Sequence, residues 1–168
     1  MHPIASAVYR LALALWVGGM SVSSFLVTPV IFRTQSSESA GKIVGAIFPV
    51  YFRFCLGAAV VALVARAAAG MAFSGARQLA GTALLVLSLT ILAYHTYSLA
   101  PQMAAVRETV HTREAVAEED PARREFSRLH GISMTLNLVV IAAGAALVLG
   151  YDTPLDAGGG NSSTYNSI

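Results

Sequence analysis

Charge is scarce in this chain and cysteine scarcer still. Asp, Glu, Lys and Arg make up 12% of 168 residues, hydrophobic residues make up 55%, and the mean hydropathy is +0.63. A soluble domain carries about 25% charged residues, so this composition excludes an ordinary soluble globule. The single cysteine, Cys55, excludes an internal disulfide, a thiolate zinc site and an iron–sulfur cluster, and reads as apolar filler. A formal charge of +2 is too small to gather nucleic acid, because the basic residues are spread over loops that also carry acids. Enzyme motifs are missing as well: there is no phosphate loop, nucleophile elbow or His-Glu-x-x-His. The paired broken helices of a transporter repeat are also lacking.

What the sequence does have is four apolar stretches, each close to the roughly 20 residues that a helix needs to cross about 30 Å of hydrocarbon. They predict an all-α, polytopic membrane protein: a four-helix transmembrane domain over residues 1–150, with spans near 11–32, 48–70, 79–99 and 130–149. An extended helical hairpin would join the last two. Residues 151–168 have the Gly, Asn and Ser composition of a disordered tail. The first span runs too far past Gly18-Gly19 to be a cleaved signal. Ser21, Ser24 and Thr28 share one of its faces, as small hydroxyl residues do where helices touch. Pro29 should bend its last turn, and Pro101 should end or kink the third span. The second span is interrupted by Arg53 and Arg66, about 20 Å apart by helical rise, each expected to snorkel outward to its own headgroup layer. Gly81, Ser88 and His95 recur along one stripe of the third span. Asp120-Pro121 reads as an N-cap followed by proline at the first helical position.

Basic residues set the expected orientation. Arg10, Arg66 and Arg77 flank the ends and the second loop, while the other eight of the 11 basic residues flank the first and third loops. The positive-inside rule then puts loops one and three in the cytoplasm and both termini outside.

The stretches Trp16-Val17-Gly18-Gly19, Thr28-Pro29-Val30-Ile31-Phe32-Arg33, Ala40-Gly41-Lys42 and Phe48-Pro49-Val50-Tyr51-Phe52 carry a family resemblance. So do Arg107-Glu108 and Phe126-x-x-Leu129-His130-Gly131-x-Ser133 with Asn137. Together they resemble the bacterial members of the transmembrane protein 205-like family, a four-span domain of unknown function. That resemblance implies a bacterial inner-membrane location and lends no reaction. More distantly, the first span is similar to copper-resistance membrane proteins and to membrane protoporphyrinogen oxidase. Those families place a histidine where this chain has Tyr9.

Ionisable side chains inside a span are functional candidates by default. His95 and His130 lie on facing helices, and helical rise places His95 level with Leu136 and Asn137, about 7 Å deeper than His130. One reading satisfies His95 by an interhelical hydrogen bond. The other is a b-type haem with His95 and His130 as axial ligands and Arg53 or Arg128 on its propionates. A variant pairs His111 with His130, and a proton relay through His95, Tyr94 or Tyr97 is a further possibility. Two histidines alone leave a zinc or copper site short of ligands. The expected role is that of an accessory or structural membrane subunit without catalytic residues, associating with itself or with other membrane subunits. A small haem- or metal-binding redox protein using His95, His130, Arg53 and Asn137 is the alternative.

Overall fold

The computed structural model describes residues 3–71, 75–111 and 120–151. Among these, four helices are long and apolar enough to cross a membrane: Pro3–Thr34, Ser37–Ala68, Ala76–Thr109 and Pro121–Leu149. No strand occurs among the described residues. The first span packs on the second, the second on the third, the third on the fourth, and the fourth closes back on the first. Short connections between sequential neighbours make this an up-and-down bundle. Its centre holds Trp16, Met20, Cys55, Ala59, Leu85, Leu92 and Val140, all buried. Trp16 sends its indole N–H to the sulfur of Met20, 3.0 Å away, so the polar edge of the largest buried ring is satisfied within its own helix.

All four helices reach beyond the apolar runs, because capping chemistry rather than hydropathy decides where they end. Ser36 accepts a hydrogen bond from the Ser39 amide and opens the second span. That span closes with Gly70 at φ 71°, where the Gly70 and Met71 amides return to the carbonyls of Ala67 and Arg66. This is a Schellman ending that needs glycine's left-handed freedom. Asp120 caps the fourth span through the Ala122 amide at 2.7 Å, with Pro121 in the first turn, as its sequence signature predicts.

The prolines act differently from expectation. The helix neither stops nor breaks at Pro101; it continues to His111. The adjustment comes just before it, where His95–Leu99 widens into a π turn closed by the Ala100 amide on the His95 carbonyl. The first span repeats the device: Ser23–Val27 is a π turn closed by the Thr28 amide on the Ser23 carbonyl, and Pro29 follows at once. A proline ring lacks the N–H and crowds the carbonyl four residues back. A turn with one extra residue relieves that conflict while the helix runs on. The Thr28 hydroxyl also donates to the Ser23 carbonyl, at 2.8 Å.

Residues 112–119 and 152–168 lie outside the described residues, so the tip of the expected hairpin and the C-terminal tail do too.

Candidate functional site

The π turns of the first and third spans open with polar side chains, and these meet the fourth span. His95 is 3% exposed. Its Nε2 lies 2.6 Å from the Ser133 hydroxyl, and its ring stacks on Phe52 of the second span with centroids 3.6 Å apart and planes 25° from parallel. One helical turn further along the fourth span, the Asn137 amide donates to the Ser24 hydroxyl of the first span at 2.8 Å. The two bonds form a polar seam that involves all four spans: Ser24 from the first, Phe52 from the second, His95 from the third, and Ser133 and Asn137 from the fourth. The stripe legible in the third span, Gly81, Ser88 and His95, is buried along its whole length.

The seam is not fully satisfied. His95 Nδ1, the Thr96 hydroxyl, the Asn137 carbonyl oxygen and the Tyr51 hydroxyl are buried without a hydrogen-bond partner among the described residues. In the α-helical parts of the third span, Ser88 and Thr90 return their hydroxyl protons to the carbonyl four residues back; Thr96 lies in the widened turn and does not. An orphaned buried polar group costs about 1–3 kcal/mol, so these atoms mark the place where the bundle has most to gain from a polar guest.

A second polar cluster lies at the other end of the bundle, around Arg66. This arginine is fully buried. Its Nε donates to the Thr82 hydroxyl at 2.9 Å, Nη1 to the Tyr9 hydroxyl at 3.1 Å and Nη2 to the Gln78 carbonyl at 2.7 Å. Its guanidinium carbon also stands 5.5 Å from the centre of the Tyr9 ring. This corrects the expectation that Arg66 snorkels outward: Tyr9, Thr82 and Gln78 supply donors and acceptors where the helix ends converge, so the planar guanidinium is solvated by protein instead of headgroups. Tyr9 is thus part of an arginine cradle.

The residues singled out from sequence do not all converge. His95 and Asn137 belong to the same seam, although the partner of His95 is Ser133 and the partner of Asn137 is Ser24. His130 is exposed and lies parallel to the Phe126 ring, with centroids 6.1 Å apart. Its exposure contrasts with the burial of His95. Arg53 is exposed on the outer surface, the position that snorkelling requires. Arg128 is exposed and paired to Glu125 at 2.8 Å. Tyr94 and Tyr97 are also exposed. The His111 side chain lies outside the described residues. No group of three or more His, Cys, Asp or Glu that could hold a metal ion occurs among the described residues.

Sequence reasoning missed the Arg66 cradle, whereas the helix contact expected at Ser24 is made, with Asn137 as its partner. A signal for the cradle existed: Tyr9, Arg66 and Thr82 each lie within about two turns of a helix end on the same side of the membrane, so up-and-down topology alone makes them level.

A family model for a domain of unknown function, DUF4149, matches residues 11–112. An uncharacterised protein of Aquifex aeolicus (strain VF5) is 27% identical over 145 residues, covering 83% of this chain and 95% of that protein. No solved structure matches. The matched family has no assigned function.

Proposed function

The chain belongs to the DUF4149 family, and we propose that it serves as a non-catalytic accessory or structural subunit, associating side by side with other spans or with copies of itself. What carries this reading is the outer face of the first two spans. Gly57 is exposed, with open space where a Cβ would stand. It lies in an apolar groove of about 370 Å³ walled by Leu11, Leu15, Phe54, Ala58 and Val61. Gly18, on the first span, is open in the same way. Small outward residues let another backbone come close, which is how helices associate in lipid where no hydrophobic drive separates helix from tail.

The interior supports the same reading. The paired polar side chains of the seam and the cradle bond from helix to helix, so their present use is to hold the bundle in register. The exposure of His130, beside a buried His95, favours this reading over haem ligation by the pair. The excess of basic residues around loops one and three supports a bacterial inner-membrane orientation with those loops in the cytoplasm.

Native mass spectrometry after mild-detergent extraction tests the proposal. A stoichiometric homo-oligomer or complex that Gly57→Leu disrupts is expected; a monomer that the substitution leaves unchanged contradicts it. The absorption spectrum of the same preparation addresses haem, since a Soret band abolished by His95→Ala would replace this reading with a redox one.

A further inference from the structure

Arg107 lies at the basic end of the bundle, near the close of the third span. It is half-buried. Its guanidinium carbon stands 5.5 Å from the centre of the Phe126 ring of the fourth span. On the second span, the guanidinium lies directly against Gly45, so close that a Cβ there would collide with it. Glycine at 45 and an aromatic ring at 126 thus form two walls of a slot for a flat cation. Among the described residues Arg107 makes no hydrogen bond or ion pair. Nearby cations do: Lys42 pairs with Glu38 at 2.7 Å and Arg128 with Glu125 at 2.8 Å, each on its own helix. Glu108, next in the chain, is exposed.

The level of the slot is informative. Helical side chains lean toward the N-terminus of their helix, which for the end of the third span is the membrane direction. The guanidinium is therefore drawn back from the backbone position of Arg107 toward Gly45. By helical rise, Gly45 is about 21 Å from the middle of the second apolar span and Phe126 about 20 Å from that of the fourth. Hydrocarbon extends about 15 Å from the bilayer centre, so the slot sits in the headgroup layer.

A guanidinium that stands over a ring and makes no hydrogen bond among the described residues keeps its N–H groups for a ligand. The ligand that matches such a fork at this depth is a phosphate. We propose that Arg107, held between Gly45 and Phe126, binds the phosphate of an anionic lipid headgroup. Phe126 fixes the plane of the fork, Gly45 gives it room to lie flat, and the lipid supplies the negative charge that no described carboxylate provides. His130, stacked on the other neighbour position of Phe126, extends the polar rim of the slot.

The test is lipid titration of the purified full-length protein, followed by native mass spectrometry, with phosphatidylglycerol and phosphatidylcholine as probes. The wild-type chain should retain phosphatidylglycerol in preference. Arg107→Gln should weaken that retention about five- to tenfold, the size of one surface cation's contribution, whereas Arg53→Gln, at an exposed cation outside the slot, should not. Gly45→Leu provides a second variant that keeps the charge but fills the slot, and it should weaken retention to a similar extent. Equal losses in Arg107→Gln and Arg53→Gln would overturn the proposal in favour of diffuse surface charge. Unchanged retention in Arg107→Gln or in a folded Gly45→Leu would also overturn it. Displacement of the lipid by millimolar inorganic phosphate would make this a free-anion site and overturn the lipid assignment.

Discussion

Ser133 and Asn137 are one helical turn apart, yet they bond to different spans, Ser133 to His95 and Asn137 to Ser24. Each pair is an independent link in a medium where the alternative is an unsatisfied group. Hydrogen bonds between membrane helices contribute about 0.6 kcal/mol on average and up to about 1.7 kcal/mol. Ser133→Ala and Asn137→Ala should each lower stability in that range, read from unfolding midpoints in mixed micelles. The Arg66 cradle should be costlier to damage, because a buried cation loses part of its solvation. Tyr9→Phe or Thr82→Ala is expected to destabilise by about 1.5–3 kcal/mol, the scale of a hydrogen bond to a charged group; a change under about 0.5 kcal/mol, typical of surface substitutions, would mean that Arg66 does not depend on these hydroxyls. At this scale the sequence was legible in part. The Gly81, Ser88 and His95 stripe announced its burial, because a seven-residue recurrence keeps side chains on one face of a helix. The facing of Arg66 and His130 was not legible, since periodicity gives no absolute rotation of a helix against its neighbours.

At the scale of elements, prolines and glycines set how the spans meet. The π turns of the first and third spans end two residues before a proline, Pro29 and Pro101, and each contains a residue of the polar seam, Ser24 or His95. A proline inside a hydrophobic run reads as a stop or a kink, and hydropathy has no means of distinguishing these from a widened turn. Pro101→Ala should raise helix propensity by about 3 kcal/mol in isolation, but loss of the extra residue would rotate His95 away from Ser133. The unfolding midpoint is therefore expected to stay level or fall; a rise of several degrees would mean that the π turn is incidental. Gly144 marks the closest approach of the fourth span to the first: a Cβ there would come within 2.5 Å of a Val17 methyl. Gly144→Ala should destabilise by about 1–3 kcal/mol, the range for overpacking. The Asp120 cap was legible because an acid before proline has a local meaning that packing does not override. Asp120→Ala should remove about 1 kcal/mol, visible as faster amide exchange over residues 122–124.

For the whole molecule, composition alone carried the membrane assignment and the number of spans, because a bilayer imposes a length on every helix that crosses it. The closed order of the four spans follows from short connections, and the polar seam follows from that order. Neither the slot at Arg107 nor the convergence on Arg66 could be read from composition, since each depends on helices remote in sequence. The groove beside Gly57 belongs to this scale too: Gly57→Leu should leave the unfolding midpoint within about 0.5 kcal/mol while reducing the oligomeric fraction. A fall in both would place Gly57 in the bundle rather than on its contact face.

The claim on which the rest depends is that polar side chains in the interior tie separate spans to one another. The most direct measurement is a double-mutant cycle across His95 and Ser133, using His95→Phe, Ser133→Ala and the pair, with reversible unfolding in mixed micelles as the readout. A coupling of about 0.6–1.7 kcal/mol is expected for a direct interhelical bond. Strict additivity, with coupling indistinguishable from zero, would show that the two residues do not meet and would contradict the account.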